Sequence, residues 1–316
     1  MKILPIDLTG VTTYPIATRK NMVSLEQNFA STVTKGMTIS SFLAAMPQQH
    51  GAKNLNATID AVVSARKKGK PVVIGIGGHV IKCGLQPVLK QLIEADIITA
   101  VAMNGSATIH DYEISLIGET SEDVGAALHC GGFGMAEETG RDINRAIKIG
   151  VTRGEGYGES LGRFMLENSN PHNEFSLLVA CFVRGIPATV HVAIGTDIIH
   201  QHPECDGAIL GEASFTDFRI FTSVVATLGD GGVFINIGSA VIMPEVFLKA
   251  LSIAQNMGFQ IDHFTTANFD MTQHYRPLQN VVNRPTTGES RGLTITGHHE
   301  IMLPLLAAGI LDRMNQ

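Results

Sequence analysis

Hydrophobic and polar positions alternate regularly along the chain from about residue 56 onward. Short apolar runs that end in glycine or a small polar residue are separated by segments in which apolar residues recur every three to four positions. The first pattern predicts buried strands, and the second predicts amphipathic helices. The predicted helices cover residues 57–67, 85–93, 176–183, 215–228 and 244–256, and the predicted strands cover 71–77, 97–103, 188–194, 233–237, 264–267 and 293–296.

About six short strands that alternate with helices predict an α/β fold with a doubly wound, mostly parallel, Rossmann-like sheet. Residues 1–55 lack the pattern, and we expect them to form an N-terminal arm or helical extension. Residues 119–172 are helical and rich in glycine, which indicates an insertion or a lid. Because no Pro/Ser-rich linker interrupts the chain, residues 56–316 are interpreted as a single domain.

Composition narrows the class of protein. The chain has 23 Lys plus Arg and 29 Asp plus Glu, a formal net charge of −6, so we expect neither a nucleic-acid nor a membrane partner. Its apolar stretches are shorter than the roughly 18 residues that a membrane span needs. The four cysteines form no CxxC pair, and the N-terminus does not resemble a signal peptide. We therefore expect a cytoplasmic protein.

Small and polar residues gather where five of the predicted strands end. In an open parallel sheet, ligands bind at these carboxyl ends, and a glycine turn before a helix suits a phosphate group. The sequence therefore predicts a nucleotide-like ligand, although glycine turns needed only for strand-to-helix geometry are the alternative. The predicted ligand-binding residues are Gly75, Gly77, Gly78, His79, Asn104, Gly105, Ser106, Asp197, Gly238, Ser239, Asn268 and Asp270.

Lys82 follows the first glycine turn and is a candidate catalytic residue. It has three interpretations: a clamp for a phosphate or carboxylate, a nucleophilic amine, or a solvated side chain. The turn itself is an incomplete dinucleotide fingerprint, because Gly75 and Gly77 are present but position 80 is valine.

Three histidines around the turn after the third predicted strand are candidates for proton transfer: His191, His200 and His202. The spacing of the last two with Cys205 matches no strong zinc motif, so we predict a substrate-facing loop and no metal. Near the C-terminus, residues 298–300 (His-His-Glu) are interpreted as the polar start of a helix.

The segment from Gly75 to Gly84, followed by a helix, a strand and Asn104-Gly105-Ser106, resembles the first NAD-contacting segment of deoxyhypusine synthase. Residues 185–197 are similar to the family's Ile-Pro strand that ends in Thr-Asp-Gly, with Asp206-Gly207 as a competing match, and residues 266–270 resemble its Thr-Ala-Gln-Glu-Phe-Asp segment. The resemblance spans roughly residues 60–280. It implies an NAD cofactor and a homo-oligomer, since family members are tetramers. It also implies that ribose or a cationic amine is bound by Asp111, Glu113, Asp197 and Asp206.

The chain departs from the family at the catalytic lysine. That lysine lies in a Gly-Gly-Gly-Val-Val-Lys-His-His segment and forms an imine with the butyl part of spermidine. The matched stretch here is 238–245, where Met243 or Pro244 stands in its place, and the family's tryptophan is absent. We therefore expect an NAD-binding protein with transferase chemistry on an amine or nucleotide-like small molecule, and not standard deoxyhypusine synthesis.

Two other classes of function remain open from the sequence. One is a sugar-phosphate isomerase or hydrolase, in which the same glycine-rich strand ends hold phosphate and Glu245 or a histidine acts as base. The other is a non-catalytic ligand-binding or assembly protein.

Overall fold

One six-stranded sheet organises the chain, as shown by a computed structural model that describes residues 3–314. Residues 1–2 and 315–316, which the predicted arm and domain include, lie outside the described part. The strands are β1 Val72–Ile76, β2 Ala100–Asn104, β3 Ala188–His191, β4 Val233–Ile237, β5 Thr265–Asp270 and β6 Arg291–Thr296. All neighbouring pairs are parallel, in the order β3-β2-β1-β4-β5-β6. The predicted doubly wound α/β fold is confirmed.

Helices connect the strands on both faces of the sheet. Those before β3 are α1 Leu25–Asn28, α2 Ile39–Ala45, α3 His50–Lys67, α4 Gly78–Lys82, α5 Gln86–Glu94, α6 Gly105–Ile117, α7 Val124–Leu128, α8 Glu137–Thr152, α9 Tyr157–Glu167 and α10 Leu177–Arg184. Those after β3 are α11 Gly207–Val225, α12 Ile242–Asn256, α13 Tyr275–Pro277 and α14 His299–Met314, and a π-helix covers Leu278–Asn283.

The central strands bury both of their faces, as expected for a parallel sheet covered by helices on each side. Every residue of β1 and β4 is buried. In β1, Ile74 and Ile76 pack into one hydrophobic core, and Val73 packs into the core on the opposite face. The second core includes Phe234 and Phe247, whose rings stack with centroids 4.0 Å apart. This two-sided burial explains the nearly continuous apolar runs in the sequence.

Side chains of α11 hydrogen-bond the outer edge of β3. Asp217 Oδ2 accepts the N–H groups of Val190 at 2.7 Å and Gly158 at 3.0 Å. The Ser214 hydroxyl donates to the Val190 carbonyl and accepts from the Val192 N–H. Asp217 is fully buried, and burial raises its pKa to about 8. The outward N–H and carbonyl of Val190 and the N–H of Val192 are therefore hydrogen-bonded by a helix and not by another strand.

The N-terminal residues differ from the rest of the chain in exposure. Residues 3–38 form an extended arm with only short helical turns, and the first long helix, α3, begins at His50. Twelve large apolar side chains of the arm are more than half exposed: Ile3, Leu4, Ile6, Leu8, Val11, Tyr14, Ile16, Met22, Val23, Leu25, Phe29 and Val33.

The segment 119–172, predicted as an insertion, contains the helices α7, α8 and α9. The described helices include none that is long and apolar enough to cross a membrane.

Replacing Asp217 tests the contact between α11 and the edge of β3. We expect Asp217→Ala to lower the free energy of unfolding by roughly 2–4 kcal/mol, because two buried N–H groups lose their acceptor. Asp206→Ala is the matched control, since Asp206 caps the same helix at an exposed position, where a cap contributes about 1 kcal/mol. Urea denaturation measures both values. Equal losses in the two variants would contradict the assigned role of Asp217.

Candidate functional site

The strand order reverses between β1 and β4, and the backbones of the two following turns meet there. The Gly77 N–H donates to the Ile237 carbonyl at 3.0 Å, and a Cβ on Gly77 would lie 2.3 Å from the Gly238 carbonyl oxygen. Gly238 has a φ of +63°, in the left-handed region that favours glycine. In open α/β sheets this switch point is the usual ligand site.

Two of the predicted phosphate-binding glycines are explained by packing within the protein. Gly75 lies inside β1, where a Cβ would approach the Phe234 ring to 3.0 Å. A Cβ on Gly78 would lie 2.6 Å from the Ser106 hydroxyl oxygen. We therefore assign Gly75 and Gly78 to close packing of strands and turns, and not to direct ligand contact. His79, by contrast, is exposed at the start of α4.

A cavity of about 240 Å³ lies beside this turn, at the carboxyl ends of β2 and β3. Its walls come from α4, from one face of α6, from residues 121–133 and from the loop after β3. Polar and charged side chains dominate one part of the wall: Lys82, Ser106, His110, Glu113, Glu122 and Asp197. The structure thus brings together Lys82, Ser106, Glu113 and Asp197, which the sequence had singled out from separate segments.

Asp197 lies over the N-terminus of α6. A Cβ on Gly105 would be 2.0 Å from its Oδ2 atom, so the carboxylate occupies the space in which the sequence predicted a phosphate. Burial raises the pKa of Asp197 to about 6. Asn104 serves as the N-cap of α6, because its Oδ1 accepts the Ala107 N–H at 3.1 Å. The predicted phosphate turn at residues 104–106 is therefore filled by the protein's own carboxylate.

His200 lies behind Asp197 with a defined tautomer. Its Nδ1 accepts the backbone N–H groups of Gly195 at 3.0 Å and Asp197 at 3.2 Å, so the proton of the neutral ring is on Nε2. Nε2 lies 3.8 Å from Asp197 Oδ2 and has no hydrogen-bond partner among the described residues. Burial lowers the pKa of His200, which keeps the ring neutral. His200 thus orients the loop that carries Asp197.

His110 and Glu113 anchor the segment that closes the cavity. The Thr120 hydroxyl donates to Glu113 Oε2 at 2.5 Å, so it must accept its 2.7 Å hydrogen bond from His110 Nδ1. Thr139 donates to the other Glu113 oxygen at 3.0 Å. Burial and the nearby charges of Lys82 and His79 lower the pKa of His110 to about 4. The ring is therefore neutral, and its Nε2 is an acceptor.

Two acidic residues predicted to bind ribose or an amine are helix caps instead. Asp111 is fully buried and accepts from the Ser176 hydroxyl at 2.6 Å and from the Leu177 and Leu178 N–H groups at the start of α10. Asp206 accepts two N–H groups at the start of α11. Neither lines the cavity. We assign both carboxylates to capping, because helix N-termini need such acceptors.

Three predicted proton-transfer residues also lie away from the cavity. His191 is buried against the Phe221 ring, and burial lowers its pKa to about 3. His202 packs on α8 at Gly140. Glu245 pairs with Lys249 and Arg276, and its hydrogen bond to Lys249 is the main cause of its lowered pKa, so it is a poor base. Neither Glu245 nor His191 lines the cavity. No group of His, Cys, Asp and Glu in residues 3–314 could hold a metal ion.

The predicted residues at the ends of β4 and β5 form a buried polar network. The Asn236 side-chain amide donates to the Ser239 carbonyl at 2.9 Å and to Asn268 Oδ1 at 2.7 Å. Asn268 in turn donates to Gln273 at 2.8 Å. Asp270 ends β5 and is buried. Asn268 and Ser239 therefore hold the backbone in place at the switch point, where Gly77 and Gly238 are in contact.

Sequence reasoning missed His110 and Glu122. Ser106, His110 and Glu113 follow the spacing i, i+4 and i+7, which places them on one face of α6. This helical spacing is the signal that could have identified His110.

Comparison with known proteins gives a fold but no sequence family. No protein-family model and no curated protein matches the chain. A protein from Methanococcus maripaludis S2, provisionally assigned as LOR/SDH, aligns with a TM-score of 0.54 at 16% identity, over 85% of this chain and 72% of its own. A provisionally assigned deoxyhypusine synthase from Entamoeba histolytica aligns with a TM-score of 0.51 at 11% identity, over 88% and 94%.

A third similar structure is AgrE in a ternary complex with ornithine and NAD+. Its TM-score is 0.51 at 13% identity, over 83% of this chain, and the chain spans 34% of the length of AgrE. Together these structures show that the chain has a deoxyhypusine synthase-like, Rossmann-like fold. The family resemblance inferred from short motifs is thus confirmed at the level of the fold.

Whether the residues present fit NAD depends on which turn is considered. At residues 104–106 the Asp197 carboxylate fills the space, which does not suit a phosphate. At the switch point, Gly77 packs against the Gly238 backbone and Gly238 packs against the buried His299 ring, so the atoms nearest these glycines belong to the protein but include no carboxylate. Of the two turns, the switch point is therefore the one that does not oppose a phosphate group.

The buried Asp197 carboxyl predicts a specific dependence of stability on pH. Because its pKa is raised to about 6 in the folded protein, the native state binds more protons than the unfolded state between about pH 4 and 6. Stability should fall as the pH rises through that window, by about 3 kcal/mol from this group. Urea unfolding from pH 4 to 7 should show this loss in the wild type relative to Asp197→Asn. Parallel curves would contradict the assignment.

Proposed function

We propose that the chain is an NAD-dependent enzyme that acts on a small cationic amine, with Lys82 as the reacting amine. The supporting observation is the cavity, whose described lining holds three carboxylates and a single Lys or Arg side chain. An excess of negative charge in a partly enclosed cleft attracts cations. Its volume of about 240 Å³ is below the roughly 300–1,000 Å³ of pockets for drug-sized ligands, so the substrate is small.

Three side chains of the cavity act on the substrate in this proposal: Asp197, Glu122 and Lys82. Above pH 6 the Asp197 carboxylate is ionised and accepts hydrogen bonds from the substrate ammonium group. Glu122 lines the same cavity and already accepts the Gly134 N–H at 2.8 Å. Lys82 Nζ, in its neutral form, adds to an imine or carbonyl carbon and forms an imine with loss of amine or water.

NAD is assigned to the switch point next to this cavity. Gly77 and Gly238 would hold it there, and it would supply a hydride acceptor. The helix α4 has five residues, a length of about 7 Å, so Lys82 at its end is within reach of a ligand bound at its start. The AgrE complex with NAD+ supports this cofactor, because AgrE shares the fold.

Standard deoxyhypusine synthesis is not part of the proposal. Met243 is buried in the core beneath the β4 turn, and Lys249 is exposed and paired with Glu245, so that turn presents no amine. Lys82 supplies an amine elsewhere, but the family's tryptophan has no counterpart in the chain. We therefore propose transfer of an amine-bearing group to an acceptor other than the one that yields deoxyhypusine.

Borohydride trapping tests the role of Lys82. The protein is incubated with NAD and 1,4-diaminobutane or spermidine, reduced with borohydride and digested for mass spectrometry. We expect the added mass on Lys82, and its loss in Lys82→Arg, because a guanidinium group stays protonated and forms no imine. No transfer to an acceptor protein that forms deoxyhypusine is expected.

Lys249→Ala is the matched control for trapping, since Lys249 follows the segment 238–245 that resembles the family's lysine segment. It should trap substrate as the wild type does. Label on Lys249, or no label on any lysine with any amine tested, would contradict the assignment of Lys82. Failure of NAD at millimolar concentration to raise the melting temperature would contradict the cofactor.

We also propose a cytoplasmic homo-oligomer. The twelve exposed apolar side chains of the arm support self-association, because contiguous exposed apolar surface is typical of interfaces. Light scattering of the purified protein should give a mass of at least two chains. The double substitution of Leu4 and Ile6 by Asp should lower that mass without changing the melting temperature of the domain. A wild-type monomer at micromolar concentration would contradict the proposal.

A further inference from the structure

His110 lines the polar cavity together with Lys82, and one nitrogen of its ring is free. Nδ1 is hydrogen-bonded to the Thr120 hydroxyl at 2.7 Å. Over residues 3–314, no hydrogen bond joins Nε2 to another residue of the protein. The His110 side chain is 16% exposed, so the ring is held by its surroundings without being sealed from the cavity. A ligand in the cavity therefore has access to a histidine nitrogen that the fold does not use.

A short chain of hydrogen bonds decides where the proton of this ring lies. The Thr120 hydroxyl gives its one proton to Glu113 Oε2 at 2.5 Å, so it accepts from His110 Nδ1. Thr139 donates to the second oxygen of Glu113 at 3.0 Å, which holds the carboxylate in place. Because the bond made by one ring nitrogen sets the state of the other, the neutral ring carries its proton on Nδ1 and a lone pair on Nε2.

The Nε2 edge of the ring lies against the face of α4 that carries Lys82. A Cβ on Gly78 would be 3.2 Å from His110 Cδ2, the ring atom bonded to Nε2. Residues i and i+4 share a helix face, so Lys82 follows Gly78 on the face that meets the ring. Burial, and after it the charges of Lys82 and His79, lower the pKa of His110 to about 4. Near pH 7 the ring is therefore neutral and Nε2 is a proton acceptor beside an amine.

We infer that His110 Nε2 carries protons between the Lys82 amine and the substrate nitrogen during imine formation. When neutral Nζ adds to the C=N carbon of the oxidised substrate, the new C–N bond leaves Nζ with one proton in excess. Nε2 takes this proton and passes it to the substrate nitrogen, which leaves as ammonia or an amine with the electrons of its own C–N bond. The lone pair of Nζ then forms the imine. No further reactant is needed.

This inference rests on the proposed function, because it adds a residue to the reaction assigned to Lys82. It also explains why a histidine in a wall of the cavity is fixed through Thr120 to a carboxylate. Only one face of the arrangement is left to the ligand, and that face carries the lone pair.

The rate of borohydride trapping on Lys82 with NAD and saturating 1,4-diaminobutane tests the inference. We expect His110→Ala to slow labelling about 100-fold, since general acid–base groups typically contribute 10²–10⁴-fold. The amine concentration at half-maximal rate should change little, because Asp197 and Glu122 remain. Added imidazole should restore much of the rate in His110→Ala, which a purely structural loss would not allow. His298→Ala is the matched control, as its side chain is 64% exposed and does not line the cavity.

The outcomes separate this inference from the proposed function. A wild type without label on Lys82 would overturn the proposed function and the proton transfer with it. Label on Lys82 at an equal rate in wild type and His110→Ala would overturn only the role of His110. A slow His110→Ala that imidazole does not restore would assign the ring to structure and would likewise overturn it.

A second measurement does not depend on turnover. In the ¹⁵N-labelled wild type at pH 7, the His110 ring should carry its proton on Nδ1 and none on Nε2. Thr120→Val should lose this preference and slow labelling of Lys82, whereas Thr120→Ser, which keeps the hydroxyl, should retain both. A His110 ring protonated on Nε2, or a Thr120→Val variant that labels at the wild-type rate, would overturn the inference.

Discussion

The backbone contact between Gly77 and Gly238 is the constraint on which the site depends. It allows β1 and β4 to lie side by side up to their ends and places α4 directly above the sheet. As a result, Lys82 at the far end of α4 reaches the cavity, while His299 approaches the same turns from α14. A side chain at either glycine would push apart elements that together form both halves of the site.

Much of the fold follows from the sequence because burial on both faces of the central strands gives continuous apolar runs. The number of strands, their parallel arrangement and most helices could be predicted in this way. The start of α11 could not be predicted from the sequence, because Gly207 and Gly211 give the segment 207–214 the composition of a loop. In the structure Asp206 caps the helix there, and a capped helix tolerates exposed glycine. The π-helix at Leu278–Asn283 likewise has no apolar periodicity that identifies it.

The candidate site was harder to predict, because the same residue types serve packing and chemistry. A glycine in a turn can admit a phosphate or a neighbouring backbone, and an aspartate can bind a substrate or cap a helix. Gly78 makes room for the Ser106 side chain, and Asp111 caps a helix. Only tertiary contacts distinguish these uses. Helical spacing on α6 did carry usable information, since it places His110 beside Ser106 and Glu113 on the face that lines the cavity.

The hydrogen bonds at the outer edge of β3 also have a consequence for association of the folded chain. An edge strand with free N–H and carbonyl groups is a template on which another chain can add a strand and begin to aggregate. On β3, Ser214 and Asp217 already occupy the outward N–H and carbonyl of Val190, and at Ala188 helix α9 approaches so closely that a Cβ on Gly158 would lie 2.0 Å from the carbonyl oxygen. This border of the sheet is therefore closed to strand addition, and the fold is protected there against edge-to-edge polymerisation.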